Sequence, residues 1–113
     1  MEKITDEDTP TILVVDDNPV ITKILEELLI RADYRVVVVA GGEEALESLE
    51  VHKVDLILLD VDIPGESGYA VCKTIKKNPN TAYIPVIFVT SRGEREDIVS
   101  GFEAGGQDYI VKP

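Results

Sequence analysis

Five short apolar runs recur along the chain, separated by longer stretches whose apolar residues return every three or four positions. The runs are TILVVD (residues 11–16), YRVVVVA (34–40), VDLILLD (54–60), PVIFVT (85–90) and DYIVK (108–112). Their apolar residues are continuous rather than alternating, which predicts strands buried on both faces. The first intervening stretch opens at Asn18-Pro19, with proline at the helix-opening position. Ile21, Ile24, Leu25, Leu28 and Leu29 then form one apolar stripe at helical spacing. Residues 42–51 make a second helix, with Glu43 and Glu44 near its positive end. Residues 67–77 make a third, with Gly68, Val71, Cys72 and Ile75 on one face. Residues 94–104 make a fourth, stopped by Gly105-Gly106. Its stripe, Ile98 and Phe102, is thin, so it is expected to be the least firmly held.

Strands that alternate with helices predict an α/β fold with a parallel sheet and helices on both sides. Four helices for five strands predict that part of one sheet face lacks a cover. No internal repeat is present. At 113 residues the chain has the common size of a single domain, and 44% hydrophobic residues exclude a disordered chain. No apolar run is long enough to span a membrane as a helix. The first ten residues carry Glu2, Asp6, Glu7 and Asp8 without an apolar segment. They read as an acidic lead-in rather than a secretory signal.

Cys72 is the single cysteine, which leaves no intramolecular disulfide and no zinc site. Its place on an apolar helix face suits packing, and a lone thiol fits a reducing cytoplasm. His52, the single histidine, falls in a helix-to-strand turn without metal-binding companions. The net charge of −11 argues against nucleic acid and membrane surfaces, both of them polyanions. It suits a basic partner, or a site that gathers cations.

In open parallel sheets, ligands collect at the carboxyl ends of the strands. The first run ends in Asp16-Asp17, the third in Asp60, the fourth in Thr90-Ser91 and the fifth in Lys112-Pro113. Three acids, a hydroxyl and an amine therefore converge on one rim. Carboxylates packed together repel unless a cation joins them, and a hard ion such as Mg²⁺ takes oxygen ligands. A carboxylate oxygen is also a nucleophile toward phosphorus, giving an acyl phosphate. The charge that develops needs metal, amine and hydroxyl partners, and this rim offers all three.

The pieces VVDD (residues 14–17), LLDVDIPGESG (58–68), PVIFVTS (85–91) and GFEAGGQDYIVKP (101–113) resemble, in order and separation, the signatures of response regulator receiver domains. The resemblance covers residue 11 to the end. It implies a flavodoxin-like sheet of order 2-1-3-4-5 and a phosphoryl-accepting switch rather than an enzyme. Asp60 would receive phosphoryl from a phosphohistidine on a sensor kinase or phosphotransfer protein. Asp17 would bind Mg²⁺ directly, and Asp16 directly or through water. Asp60 would also ligate it, and the backbone carbonyl of Asp62 would complete the site. Thr90 would hydrogen-bond the phosphoryl group, and Lys112 would pair with it, or with Asp60 before transfer. Tyr109 would be the aromatic switch, turning inward as Thr90 moves. Pro113 would follow a cis peptide bond and fix the aim of Lys112. The resemblance implies a downstream output domain or effector as reader of the fourth-helix and fifth-strand face, and it admits a homodimer.

Some positions depart from the pattern. Asp62 adds a fourth acid where many relatives carry Met or Asn. Arg92, two residues after Thr90, is placed to pair with it across the pocket, and in the family these positions tune phosphoryl lifetime. Gly106 stands where Ala is common. Tyr69 and Tyr83 read as surface or loop contacts. The fifth helix of the family has no counterpart. The expected domain is thus 11–113, truncated after the fifth strand as a fragment, by design, or with a face exchanged or covered by a partner. Two other classes stay open. Asp60-Val61-Asp62 resembles the DxD core of haloacid-dehalogenase-type phosphatases, although Pro64 stands where Thr or Val is usual. A phosphorylation-independent binding module of the same fold is the other.

Overall fold

The computed structural model describes residues 9–112. The acidic lead-in up to residue 8 and the peptide bond before Pro113 lie outside the described residues. Nine elements follow in the expected alternation: β1 (Thr11–Val15), α1 (Pro19–Arg31), β2 (Arg35–Val39), α2 (Gly42–Val51), β3 (Leu56–Leu59), α3 (Gly68–Lys77), β4 (Val86–Thr90), α4 (Arg95–Glu103) and β5 (Asp108–Val111). The strands form one parallel sheet in the order β2-β1-β3-β4-β5. This is the doubly wound arrangement, with its switch point between β1 and β3.

Side-chain caps open α1 and α3. Asn18 Oδ1 accepts the amides of Val20 (3.0 Å) and Ile21 (3.4 Å), with Pro19 as the first helical residue. Ser67 Oγ accepts the Ala70 amide at 3.3 Å and opens α3. Asp33, with φ of 68°, takes the left-handed turn between α1 and β2.

The two sheet faces differ. On one, Leu13, Val15, Ile57, Leu59, Val86 and Phe88 are fully buried in a single cluster with Ala45 of α2, Val71, Cys72 and Ile75 of α3, and Ala104 behind α4. On the other, Ile12 and Val14 are buried, but Leu56, Leu58, Ile87 and Val89 are only half-buried and Ile110 is exposed. Burial on both faces, expected of every strand, therefore holds for β1 alone. The stripe expected on α1 is corrected in the same way. Ile24 and Leu28 are 50% and 58% exposed, while Thr22 is the buried residue of that helix. Ile24 and Leu28 are thus part of the apolar surface left open among the described residues. On α4, Phe102 likewise points outward. Gly101 and Ala104 form its inner side, because the rings of Tyr109 and Phe88 need the space a larger residue would fill.

Candidate functional site

The carboxyl ends of β1, β3, β4 and β5 meet at one rim, and each delivers a polar residue. Parallel pairing sets the depth of each side chain. Val15 lies opposite Leu59, so Asp16 and Asp60 follow side by side. The Asp60 amide donates to the Val15 carbonyl at 2.9 Å. Thr90 lies opposite Val111, and the Lys112 amide donates to the Thr90 carbonyl at 2.8 Å. Ladder bonds thus fix the backbone beneath all four groups.

Asp16 and Asp60 are nearly buried and share one cation. Lys112 Nζ lies 2.7 Å from Asp16 Oδ2 and 3.1 Å from Asp60 Oδ2. The second oxygen of each carboxylate accepts a backbone amide two residues ahead: Asn18 to Asp16 Oδ1 at 2.9 Å, and Asp62 to Asp60 Oδ1 at 3.2 Å. Pairing and hydrogen bonding offset the desolvation penalty of these buried charges. Burial disfavours the Lys112 ammonium, but the two carboxylates outweigh it and hold its pKa above the ordinary lysine value.

Asp17 is exposed beside this pair. One carboxylate oxygen from each of Asp16, Asp17 and Asp60 lies within 4.8 Å of the others. Three hard oxygen donors at that spacing, open to water on the Asp17 side, fit a divalent cation such as Mg²⁺. Asp62 stands apart from this set. Its carboxylate faces Arg92, whose Nε lies 2.8 and 3.0 Å from the two oxygens and whose Nη2 lies 2.8 Å from Oδ1. The Arg92 hydrogen bonds hold the Asp62 carboxyl below the usual carboxylate range. Arg92 also donates its amide to Thr90 Oγ1, at 3.4 Å. Thr90 itself is fully buried.

Tyr109 is half-buried against Phe88, with ring centroids 5.7 Å apart. Its hydroxyl donates to the Arg92 carbonyl at 2.7 Å and lies 3.0 Å from the Tyr69 hydroxyl. Burial, then the Tyr69 hydroxyl, pushes its pKa up. Tyr69, expected to be a surface or loop contact, is instead half-buried. Its ring centroid lies 5.4 Å from that of Phe88, and its hydroxyl donates to the Asp97 carbonyl at 2.8 Å. Its partners lie 28 and 40 residues away in sequence, so no local pattern marks it. Tyr83 is exposed.

Gly68 explains how the segment after Asp60 is held. Its amide donates to the Val61 carbonyl at 2.9 Å. A Cβ there would press into the Asp60 carbonyl and stand 2.9 Å from Val61 Cα. Only glycine lets α3 start directly behind the acceptor strand.

A sequence model of the response regulator receiver domain matches residues 12–113. Among curated proteins, the chain is 45% identical over 103 residues to a probable cyclic di-GMP phosphodiesterase of Vibrio cholerae, covering 91% of this chain and 23% of that protein. It is 40% identical over 104 residues to transcriptional regulatory protein AfsQ1 of Streptomyces coelicolor, covering 92% and 45%. The chain therefore spans less than half the length of these relatives. Among solved structures, it is similar to the receiver domain of a sensor histidine kinase from Pseudomonas aeruginosa with a magnesium ion coordinated in its active-site cleft. That match has a TM-score of 0.85 at 35% identity and covers 93% of this chain and 86% of that one.

Proposed function

This chain belongs to the response regulator receiver domain family, and from that premise we propose that it is a phosphoryl-accepting signalling switch with Asp60 as the acceptor. The observation that carries the reading is the shared ammonium: Lys112 bridges Asp16 and Asp60 while Asp17 completes an acidic set of metal-binding spacing. A set of this kind holds a nucleophilic carboxylate ready and offers counter-charge for a phosphoryl group.

In the proposed reaction an Asp60 oxygen attacks the phosphorus of a phosphohistidine on a sensor kinase or phosphotransfer protein. The P–N bond breaks, an O–P bond forms, and the imidazole leaves with the electron pair. Asp16, Asp17, Asp60 and the Asp62 carbonyl would hold Mg²⁺, which supplies charge neutralisation for the phosphoryl oxygens. Lys112 stays with Asp60 before transfer and pairs with the phosphoryl group afterwards. The Thr90 hydroxyl donates to a phosphoryl oxygen, and Tyr109 turns inward as Thr90 moves. Asp62 and Arg92 tune how long the phosphoryl group survives.

The α4–β5 face then changes and is read by an output domain or effector protein, the phosphorylation biasing an equilibrium between two existing states. The two curated relatives carry unlike functions in their names, a phosphodiesterase and a transcriptional regulator, so the output is set outside the matched segment. We place the chain in the cytoplasm, acting through protein partners or a homodimer rather than on nucleic acid or membrane. Its own chemistry is at most slow self-phosphorylation and dephosphorylation. Among the described residues no helix is long and apolar enough to cross a membrane.

Intact-mass spectrometry after incubation with a small acyl-phosphate donor tests the reading. One phosphoryl adduct that requires Mg²⁺ is expected. Sustained turnover of a phosphate ester without an adduct would favour a phosphatase instead.

A further inference from the structure

Tyr69, at the start of α3, and Tyr109, on β5, make three short oxygen contacts between them with only two protons to share. Tyr69 reaches the Asp97 carbonyl at 2.8 Å, Tyr109 reaches the Arg92 carbonyl at 2.7 Å, and the two hydroxyls lie 3.0 Å apart. Carbonyls only accept, and each phenol has a single proton. One of the three contacts is therefore always without a hydrogen.

Two fillings make connected chains. In one, Tyr69 donates to Tyr109 and Tyr109 donates to the Arg92 carbonyl in the β4–α4 loop, leaving the Asp97 carbonyl without a phenol donor. In the other, Tyr109 donates to Tyr69 and Tyr69 donates to the Asp97 carbonyl in the first turn of α4, leaving Arg92 unserved. In a third, each hydroxyl donates to its own carbonyl and the two oxygens face each other without a hydrogen, so the place of the Tyr109 hydroxyl bears on the Tyr69–Asp97 bond in every filling. When that hydroxyl leaves, Tyr69 has a single partner.

The surroundings hold the pair in register. Phe88 lies against both rings. Gly101 in α4 supplies the notch for Tyr109: a Cβ at that position would stand 2.6 Å from the ring. A glycine in mid-helix is unfavourable relative to alanine, and close packing of this ring gives it a reason to be there.

We infer that Tyr69 is a positioning residue that relays the location of Tyr109 to the first turn of α4. The inference rests on the reading of Tyr109 as the residue that turns when the site is loaded.

Amide NMR spectra of the full chain test it, with Mg²⁺ and beryllofluoride as the phosphoryl mimic. In the wild type, loading should shift amides at Asp60 and Thr90 and also at Glu96, Asp97 and Ile98. In Tyr69→Phe, which keeps the ring on Phe88, the shifts at Asp60 and Thr90 should remain and those at Glu96–Ile98 should be lost. Undiminished α4 shifts in Tyr69→Phe overturn the relay. A second arm works without loading. Tyr109→Phe should displace the resonances of Asp97 and Ile98 in the wild-type background and leave them in place in the Tyr69→Phe background. Equal displacement in both backgrounds also overturns it. If beryllofluoride shifts nothing at Asp60 in the wild type, the switch reading fails, and the second arm still decides the relay.

Discussion

Arg92 and Asp62 clasp each other beside the acidic site, with Nε 2.8 and 3.0 Å from the two carboxylate oxygens. Arg92 also sits between the Thr90 hydroxyl, through its amide, and the Tyr109 hydroxyl, through its carbonyl. The role proposed for this pair is to limit the approach of water to Asp60. Arg92→Ala is expected to speed loss of the phosphoryl group by roughly two- to five-fold, the scale of an exposed ion pair, with little change in thermal stability. A phosphoryl lifetime equal to that of the wild type, followed by mass spectrometry after donor removal, would show that the pair has no such role.

Lys112 pairs with Asp16 and Asp60 at once. Lys112→Met leaves two nearly buried carboxylates facing each other and Asp17, so the metal-free protein should lose about 1–3 kcal/mol. Mg²⁺ should bind the variant more tightly than the wild type, because a like charge has left the site. Urea unfolding with and without Mg²⁺ reads both effects, and unchanged stability in the absence of metal counts against the shared-ammonium account.

The same lysine sets a pH dependence. Its folded-state pKa is raised, so its stabilising contribution is fully present below the unfolded value of about 10.4. It is lost as pH rises through the folded value. The difference in unfolding free energy between wild type and Lys112→Met should stay level from neutral pH to about pH 10 and shrink above it. Tyr109, also shifted upward, titrates in both proteins, so the difference isolates the lysine.

The rim of the site was legible in the sequence because strand ends are. Continuous apolar runs stop abruptly at Asp16, Asp60, Thr90 and Lys112, and parallel pairing brings such stops to one edge. Four helices for five strands signal an incompletely covered sheet face, but not which side chains it leaves open. Ile24 and Leu28 match a helical stripe as well as Leu25 does. Their exposure depends on how much of one sheet face is covered, and residue spacing does not report that. Periodicity puts Phe102 in the apolar stripe of α4, yet Gly101 and Ala104 hold the inner side because Tyr109 and Phe88 press against it. Tyr69 carried no signal, since its role arises from contact with Tyr109 across 40 residues.

Gly68 is the tightest backbone approach beside the acceptor. Gly68→Ala should cost about 1–3 kcal/mol as an overpacked contact and displace Asp60, slowing phosphorylation as well as lowering stability. Denaturant unfolding and the rate of adduct formation give the two readouts. Full stability in the alanine variant would mean that α3 shifts away without strain.

Cys72 is fully buried, its sulfur 3.4 Å from the Ala104 carbonyl, and burial raises its pKa to about 11. At pH 8 the native thiol should resist iodoacetamide, and the protein unfolded in urea should react at once. Fast alkylation of the native protein would reveal opening between α3 and the end of α4.

Borohydride trapping tests the central claim most directly. An aspartyl phosphate is an activated acyl group, and borohydride reduces it to the alcohol, leaving homoserine in place of that aspartate. After incubation with a small acyl-phosphate donor and Mg²⁺, peptide mapping should find homoserine at position 60 and nowhere else. It should be absent without donor or with the metal chelated. Conversion at Asp16, Asp17 or Asp62 instead, or no conversion in a folded protein, would contradict the assignment of Asp60 as the phosphoacceptor.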